Sequence, residues 1–175
     1  MVAGYDRRAI EEPARPMKFP RTIRMDVSDV NVFPLAAELN EWAVTGTFAF
    51  ADADPTGMSN KEQLAFKSGW LGVGSFGRST LVQVAVIPDE QFEDVVRRLA
   101  AHLHERYGAP DMLAAVQAAR GEAEYAAGLS NHPAGTLLAI EREFTEDGVT
   151  ERIRVIPKRD EGNHARIWSV VEDES

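Results

Sequence analysis

Two carboxylates one residue apart, Asp52 and Asp54, lie in the run Ala51-Asp-Ala-Asp-Pro-Thr-Gly57, directly after an apolar stretch. Paired acids are residue types that phosphoryl or metal chemistry uses. In an Asp-Pro turn the same residues also serve as turn formers and helix caps. A second candidate is Gly72-Val-Gly74-Ser-Phe-Gly77, which fits G-x-G-x-x-G. The dinucleotide fingerprint needs a strand before the glycines and a helix after them, so that the pyrophosphate meets a helix N-terminus. Here the pattern predicts a helix before and a strand after, the reverse order. No Gly-Lys-Ser/Thr closes the run, so it is not a Walker-type phosphate loop. A smaller role remains: successive backbone N–H groups at Gly74, with Arg78, as an anion nest.

The four histidines are His102, His104, His132 and His164. Positions two apart on a helix point about 200° away from each other, so His102 and His104 do not make a metal site by themselves. His132, in Asn-His-Pro, is the most site-like, although a histidine at a helix C-terminus is also favoured by the dipole alone. Ser75, Ser79 and Thr80 have no G-x-S-x-G elbow around them. The ligand-binding candidates are therefore Asp52, Asp54, Gly74, Arg78 and His132. No residue is assigned as catalytic or as a metal ligand, and no cofactor is expected.

These residues depend on elements that the patterning outlines. From Phe19 the apolar period is two, a one-sided strand, and Val30 to Phe33 suggests a short second one. Glu41 leads into the most regular alternation, with Trp42, Val44, Gly46, Phe48 and Phe50 on one face. Ser59 or Asn60 caps a short helix over 60–68, stopped by Gly69. Leu81 to Ile87 is a β-branched run fit for a central strand.

Asp89 is the expected N-cap of a long helix, with Phe92, Val95, Val96, Leu99, Leu103 and Tyr107 on one face, ended by Gly108 and Pro110. A second helix over 111–129 carries Met112, Val116, Ala119, Ala123 and Ala126 along one stripe. Gly121 costs about 1 kcal/mol there and predicts a weak point or break. Residues 130–135 read as a loop. Leu137 to Phe144 and Thr150 to Ile156 form a hairpin about Glu146-Asp147-Gly148, with Glu141, Glu143, Arg152 and Arg154 facing one another. A last strand is expected over 164–171. The fold class expected is α+β: a largely antiparallel sheet of five to seven strands with two main helices packed on one face. Residues 1–16 read as a tail, 17–171 as one domain and 172–175 as an acidic end.

The chain of 175 residues can bury a core without staples and contains no cysteine, which removes thiol chemistry and disulfides. Its net charge of -9 disfavours nucleic acid, whose binding rests on Lys and Arg. No apolar run approaches a membrane span, and the N-terminus has no signal-peptide core. A cytoplasmic setting is the expectation.

Asp52-x-Asp54-Pro-Thr56 resembles the nucleophile motif of haloacid-dehalogenase-type phosphatases over about ten residues. That resemblance implies Asp52 as nucleophile, Asp54 as proton donor and a bridging Mg²⁺. The family's succession of β–α units is not seen here. A broader likeness rests on Met17-Lys-Phe-Pro-Arg-Thr-Ile-Arg24 with Ser28-Asp29, Phe48-Ala-Phe-Ala-Asp-Ala-Asp-Pro55, Ser75-Phe-Gly-Arg-Ser-Thr-Leu-Val82 and Asn131-His-Pro-Ala-Gly-Thr136. These resemble a family of small uncharacterised alphaproteobacterial proteins. The resemblance implies a cytoplasmic bacterial protein of unknown function that starts at Met17, and brings no activity with it.

Two functions follow as expectations. The first is a non-enzymatic accessory protein that self-associates as a homodimer or binds another protein, motivated by the acidic balance and the alanine stripe. The alternative is a small anionic-ligand-binding protein or weak enzyme. Its site would lie between the Gly-rich loop, the Asp52/Asp54 turn and the His132 loop.

Overall fold

The computed structural model describes residues 16–23 and 32–157. The β-branched run at Leu81 becomes the strand around which the larger sheet is built. Strand β5 (Leu81–Val86) pairs antiparallel with β1 (Lys18–Ile23) on one side and with β6 (Leu137–Thr145) on the other. Strand β7 (Gly148–Ile156) adds to β6 through the hairpin foreseen at Glu146, giving the order β1-β5-β6-β7. Gly148 takes φ +118°, which an L side chain would resist, and so closes that turn. Arg152 pairs with Glu141 across the hairpin at 2.7 Å, both side chains exposed, so the pair adds little stability.

A smaller antiparallel sheet joins β2 (Ala43–Val44), β3 (Trp70–Gly72) and β4 (Arg78–Ser79). The glycine stretch is the turn between β3 and β4. Bridges from Arg21 to Trp42 and from Ala36 to Arg78 tie this sheet to its surroundings. Gly77 is required at the second bridge: a Cβ there would lie 2.4 Å from the Ala36 carbonyl carbon.

Three helices occur among the described residues: α1 (Asn60–Ser68), α2 (Asp89–Arg106) and α3 (Met112–Leu129). Helix α1 begins with a capping box between Ser59 and Glu62 and ends at Gly69. Helix α2 buries Phe92, Val95, Val96, Leu99 and Leu103, the stripe read from its period. Helix α3 buries Ala115, Ala119, Ala123 and Ala126, and these alanines share one core cluster with α2, Phe19, Val44 and Leu71. The small-residue stripe is thus used inside the molecule, where the expectation of self-association had read it as free for a partner. Helix α1 packs elsewhere, against β6, with Phe66 stacked on Phe144 at 4.0 Å.

The class is α+β and the sheets are antiparallel. The expectation of one sheet of five to seven strands is corrected: among the described residues the strands divide into two sheets of four and three, and the two main helices are joined by the short one expected over 60–68. The 41–50 alternation is also corrected: only Ala43–Val44 is strand, and Thr47–Phe50 winds into a 3₁₀ turn. Gly46 causes the change. It takes φ +72° and is closed in by Leu71, whose Cβ would stand 2.5 Å from a Cβ on residue 46. Strand β1 is not one-sided either. Thr22 is buried because its hydroxyl donates to the Glu38 carbonyl and accepts from the Glu41 N–H.

Pro88 rather than Asp89 is the N-cap of α2, leaving Asp89 in the first turn, where it complements the dipole. Gly121 breaks nothing: α3 runs straight through it, carried by the alanines packed on either side. The expected strand at 164–171, residues 30 and 31 of that at 30–33, residues 1–15 and the acidic end lie outside the described residues; Val32 and Phe33, which are described, are not strand.

Candidate functional site

The site begins with two arginines that the fold buries beside one ring. Arg78 opens β4, and Arg142 lies on β6 on the same face as Leu138 and Ile140. The guanidinium carbons lie 4.7 and 5.3 Å from the Phe50 ring centre. Arg142 donates from Nε to Thr47 Oγ1 (2.7 Å), from Nη1 to the Phe66 and Ala65 carbonyls, and from Nη2 to the Thr45 carbonyl. The Glu151 carboxylate stands 3.8 Å from its Nε.

Arg78 donates from Nη1 to the carbonyls of Gly69 (3.1 Å) and Thr45 (3.4 Å), and from Nη2 to that of Gly46 (3.2 Å). Together they satisfy the last carbonyls of α1 and those of the Thr45–Gly46 turn, which a continuing strand would have paired. These bonds hold the 3₁₀ turn where the sequence pattern implied extended chain.

Unlike Arg142, Arg78 has no carboxylate within ion-pair distance among the described residues. Burial, and then repulsion from Arg142, brings its guanidinium down to about 9, so it remains cationic at neutral pH. Nη1 has both hydrogens committed and Nη2 has one. The Nε–H and the second Nη2–H have no acceptor among the described residues. Nε and Nη2 lie along the side edge of the guanidinium, whose donor spacing matches two carboxylate oxygens.

Arg78 lines a cavity of about 700 Å³. Its apolar wall includes Leu35, Phe50, Met58 and Phe76, and its polar groups include Asp54, Glu62, His102, Arg106 and Tyr107. The β3–β4 turn reaches the end of α2 through a stack of Phe76 on His102, ring centres 3.7 Å apart and nearly parallel. Phe76 holds φ +59°, a left-handed conformation rare for an aromatic residue, to make that contact. The 3₁₀ turn reaches the same helix end through an edge-to-face contact of Phe48 with Tyr107 at 5.2 Å. Burial lowers the pKa of His102, helped by Arg106, so the ring is neutral at pH 7.

The structure brings Asp54 and Arg78 to this cavity and leaves Asp52, Gly74 and His132 out of its lining. Asp52 is exposed in the turn. Asp54 caps the following 3₁₀ turn, accepting from the Thr56 N–H (3.0 Å) and hydroxyl (2.7 Å), bonds that hold its carboxyl below the usual range. The nest expected at Gly74 is filled by the chain's own anion. Glu41 accepts from the N–H of Ser75 (2.8 Å), from its hydroxyl and from the N–H of Glu38. A Cβ at Gly72 or Gly74 would come within 2.7 or 2.9 Å of that carboxylate, so these glycines make room for Glu41. Arg78 turns away from this nest and into the interior.

The His132 carbonyl accepts from Lys18 Nζ at the start of β1, whereas Glu41 meets Thr22 near that strand's other end. No group of three or more metal-ligating side chains occurs among the described residues. Sequence reasoning passed over His102, Arg106 and Tyr107 as parts of this site. Their signal was their position at the C-terminal end of the best-defined helix, beside a glycine-rich turn.

A family profile matches residues 17–173, nearly the whole chain. The chain belongs to DUF6505, a family of unknown function. DUF6505 membership is consistent with the expectation of a family of unknown function. No curated protein and no solved structure matches the chain. No helix among the described residues of this DUF6505 chain is long and apolar enough to cross a membrane.

Proposed function

We propose that the protein is a small-molecule-binding protein whose ligand occupies the cavity between the 3₁₀ turn at Phe50, the Phe76 turn and the end of α2. One observation carries the reading: a concavity of about 700 Å³ whose apolar and aromatic walls are interrupted by a few convergent polar groups. Ligand sites of about 300–1,000 Å³ have this composition. The polar groups nearest to chemistry are already engaged. Ser75 Oγ gives its proton to Glu41 and accepts from the Gly77 N–H, and Asp54 is tied to Thr56. Binding is therefore better supported than catalysis.

A fragment screen by ¹H–¹⁵N NMR tests this reading. Fragments with affinities of order 1 mM are expected to shift the amides of Leu35, Phe50, Phe76 and Tyr107 together. Leu35→Trp, which fills the mouth from an exposed wall position, is expected to abolish those shifts. Shifts confined to another face, or none from any fragment, would remove the reading.

A further inference from the structure

We infer that the ligand of this cavity is a monocarboxylic acid with an apolar, ring-bearing body, its carboxylate seated on the Nε/Nη2 edge of Arg78. The inference rests on the binding reading above and adds the chemistry of the ligand.

Arg78 is only 8% exposed and contributes to the cavity wall. Its other hydrogens are turned to the carbonyls of Thr45, Gly46 and Gly69. The free side edge is therefore what Arg78 can offer to the cavity. A buried cation without a counter-ion is costly, and an anion that accepts both free hydrogens removes the cost. Two parallel N–H donors match the two oxygens of one carboxylate. Donors open to the cavity and left without acceptors by the protein favour a ligand that supplies them.

The charge balance decides between a monoanion and a dianion. Arg78 and Arg106 on the cavity wall are matched by Asp54 and Glu62. A phosphate monoester would bring two charges to one spare fork and toward two carboxylates, whereas a carboxylate brings one. The remaining wall is suited to a ring, since Phe50, Phe76, His102 and Tyr107 supply faces and edges for aromatic contact.

Calorimetric titration of the full chain with 1-naphthylacetate, its uncharged amide 1-naphthylacetamide and inorganic phosphate separates the outcomes. The acid is expected to bind about tenfold or more tightly than the amide, as loss of one charge-assisted fork implies. In the Arg78→Met variant that preference is expected to vanish. Because this variant strips three carbonyls and can fail to fold, the wild type supplies a second measurement. The ¹⁵Nε–¹Hε resonance of Arg78 is expected to move with the acid and to stay put with the amide.

Equal binding of acid and amide at the cavity would overturn the inference and leave the binding reading standing. Phosphate binding more tightly than the acid would replace the carboxylate by a phosphoryl ligand. If neither naphthyl compound binds, the ring-bearing acid is ruled out, and the fragment screen alone decides the wider reading.

Discussion

Arg78 and Arg142 share one ring and one acceptor, the Phe50 face and the Thr45 carbonyl, yet they are completed differently. Arg142 places four donations on Thr45, Thr47, Ala65 and Phe66 and has Glu151 as counter-ion. Four of its five N–H groups and its charge are answered from within the protein. Arg78 makes three donations, has no counter-ion among the described residues and borders open space. A buried guanidinium whose charge and most of whose donors are answered is a strut. One answered on two sides and left open on the third holds the same loop while presenting a charge. The proposed binding role of Arg78 rests on that contrast, and each of the following experiments presses on it.

The largest effect is expected at the closed arginine. Arg142→Met leaves Glu151 and the carbonyls of Thr45, Ala65 and Phe66 without their cation, so unfolding in urea should show a loss of about 3–5 kcal/mol. Arg78→Met should cost less, about 1–3 kcal/mol, because the uncompensated charge disappears along with the bonds it made. The same titration with excess 1-naphthylacetate should stabilise the wild type, by about 2.7 kcal/mol at a hundred times Kd, and leave Arg78→Met unmoved. A reversed order of the two losses would mean that Arg78 is the principal strut, and the contrast would collapse.

Why one arginine was visible in the sequence and the other was not has a physical answer. Local signals were legible: the Ser59–Glu62 capping box, the α2 stripe and the Glu146 turn depend on residues within a few positions of each other. Arg78 drew notice because it follows the glycines, but the nest it was paired with belongs to Glu41, thirty-four residues before Ser75. Arg142 went unremarked between Glu141 and Glu143, although a period of two puts it in line with Leu138 and Ile140. The 3₁₀ turn at Thr47 was read as strand for the same reason. Gly46 turns the chain there, but the bonds that brace the turn come from residues 78 and 142, and no local pattern carries those partners. The cavity is likewise a product of distant parts, assembled by two aromatic contacts to the end of α2.

A smaller effect is expected in how the two regions respond to pH. Near Glu151, the counter-ion of Arg142, burial and then the Glu151 charge raise the pKa of Glu122. The folded state thus holds that proton over a window in which the unfolded chain has released it. Stability falls as pH rises from the ordinary glutamate value through the raised one. Glu122→Gln should therefore gain on the wild type across that window and hold a constant advantage above it. Urea midpoints measured from pH 4 upward check this; a difference independent of pH would show that Glu122 titrates normally.

Beside Arg78 the sign is opposite, and the effect is the smallest of the set. Burial, then Arg106, lowers the pKa of His102; Arg78 acts in the same direction and Glu105 against it. Over the window between the lowered value and about 6.5, the unfolded chain binds the proton and the folded chain does not, so stability rises with pH there and is lost as pH falls. His102→Phe keeps a ring on Phe76 and removes the titration, so its urea midpoint should lack this acid-side loss. A carboxylate bound on Arg78 places a negative charge near the same ring and favours the imidazolium. The His102 midpoint, followed by ¹H NMR of its Cε1 proton, should move up with 1-naphthylacetate and stay fixed with the amide. A midpoint indifferent to both compounds, in a protein that binds the acid, would place the carboxylate away from Arg78.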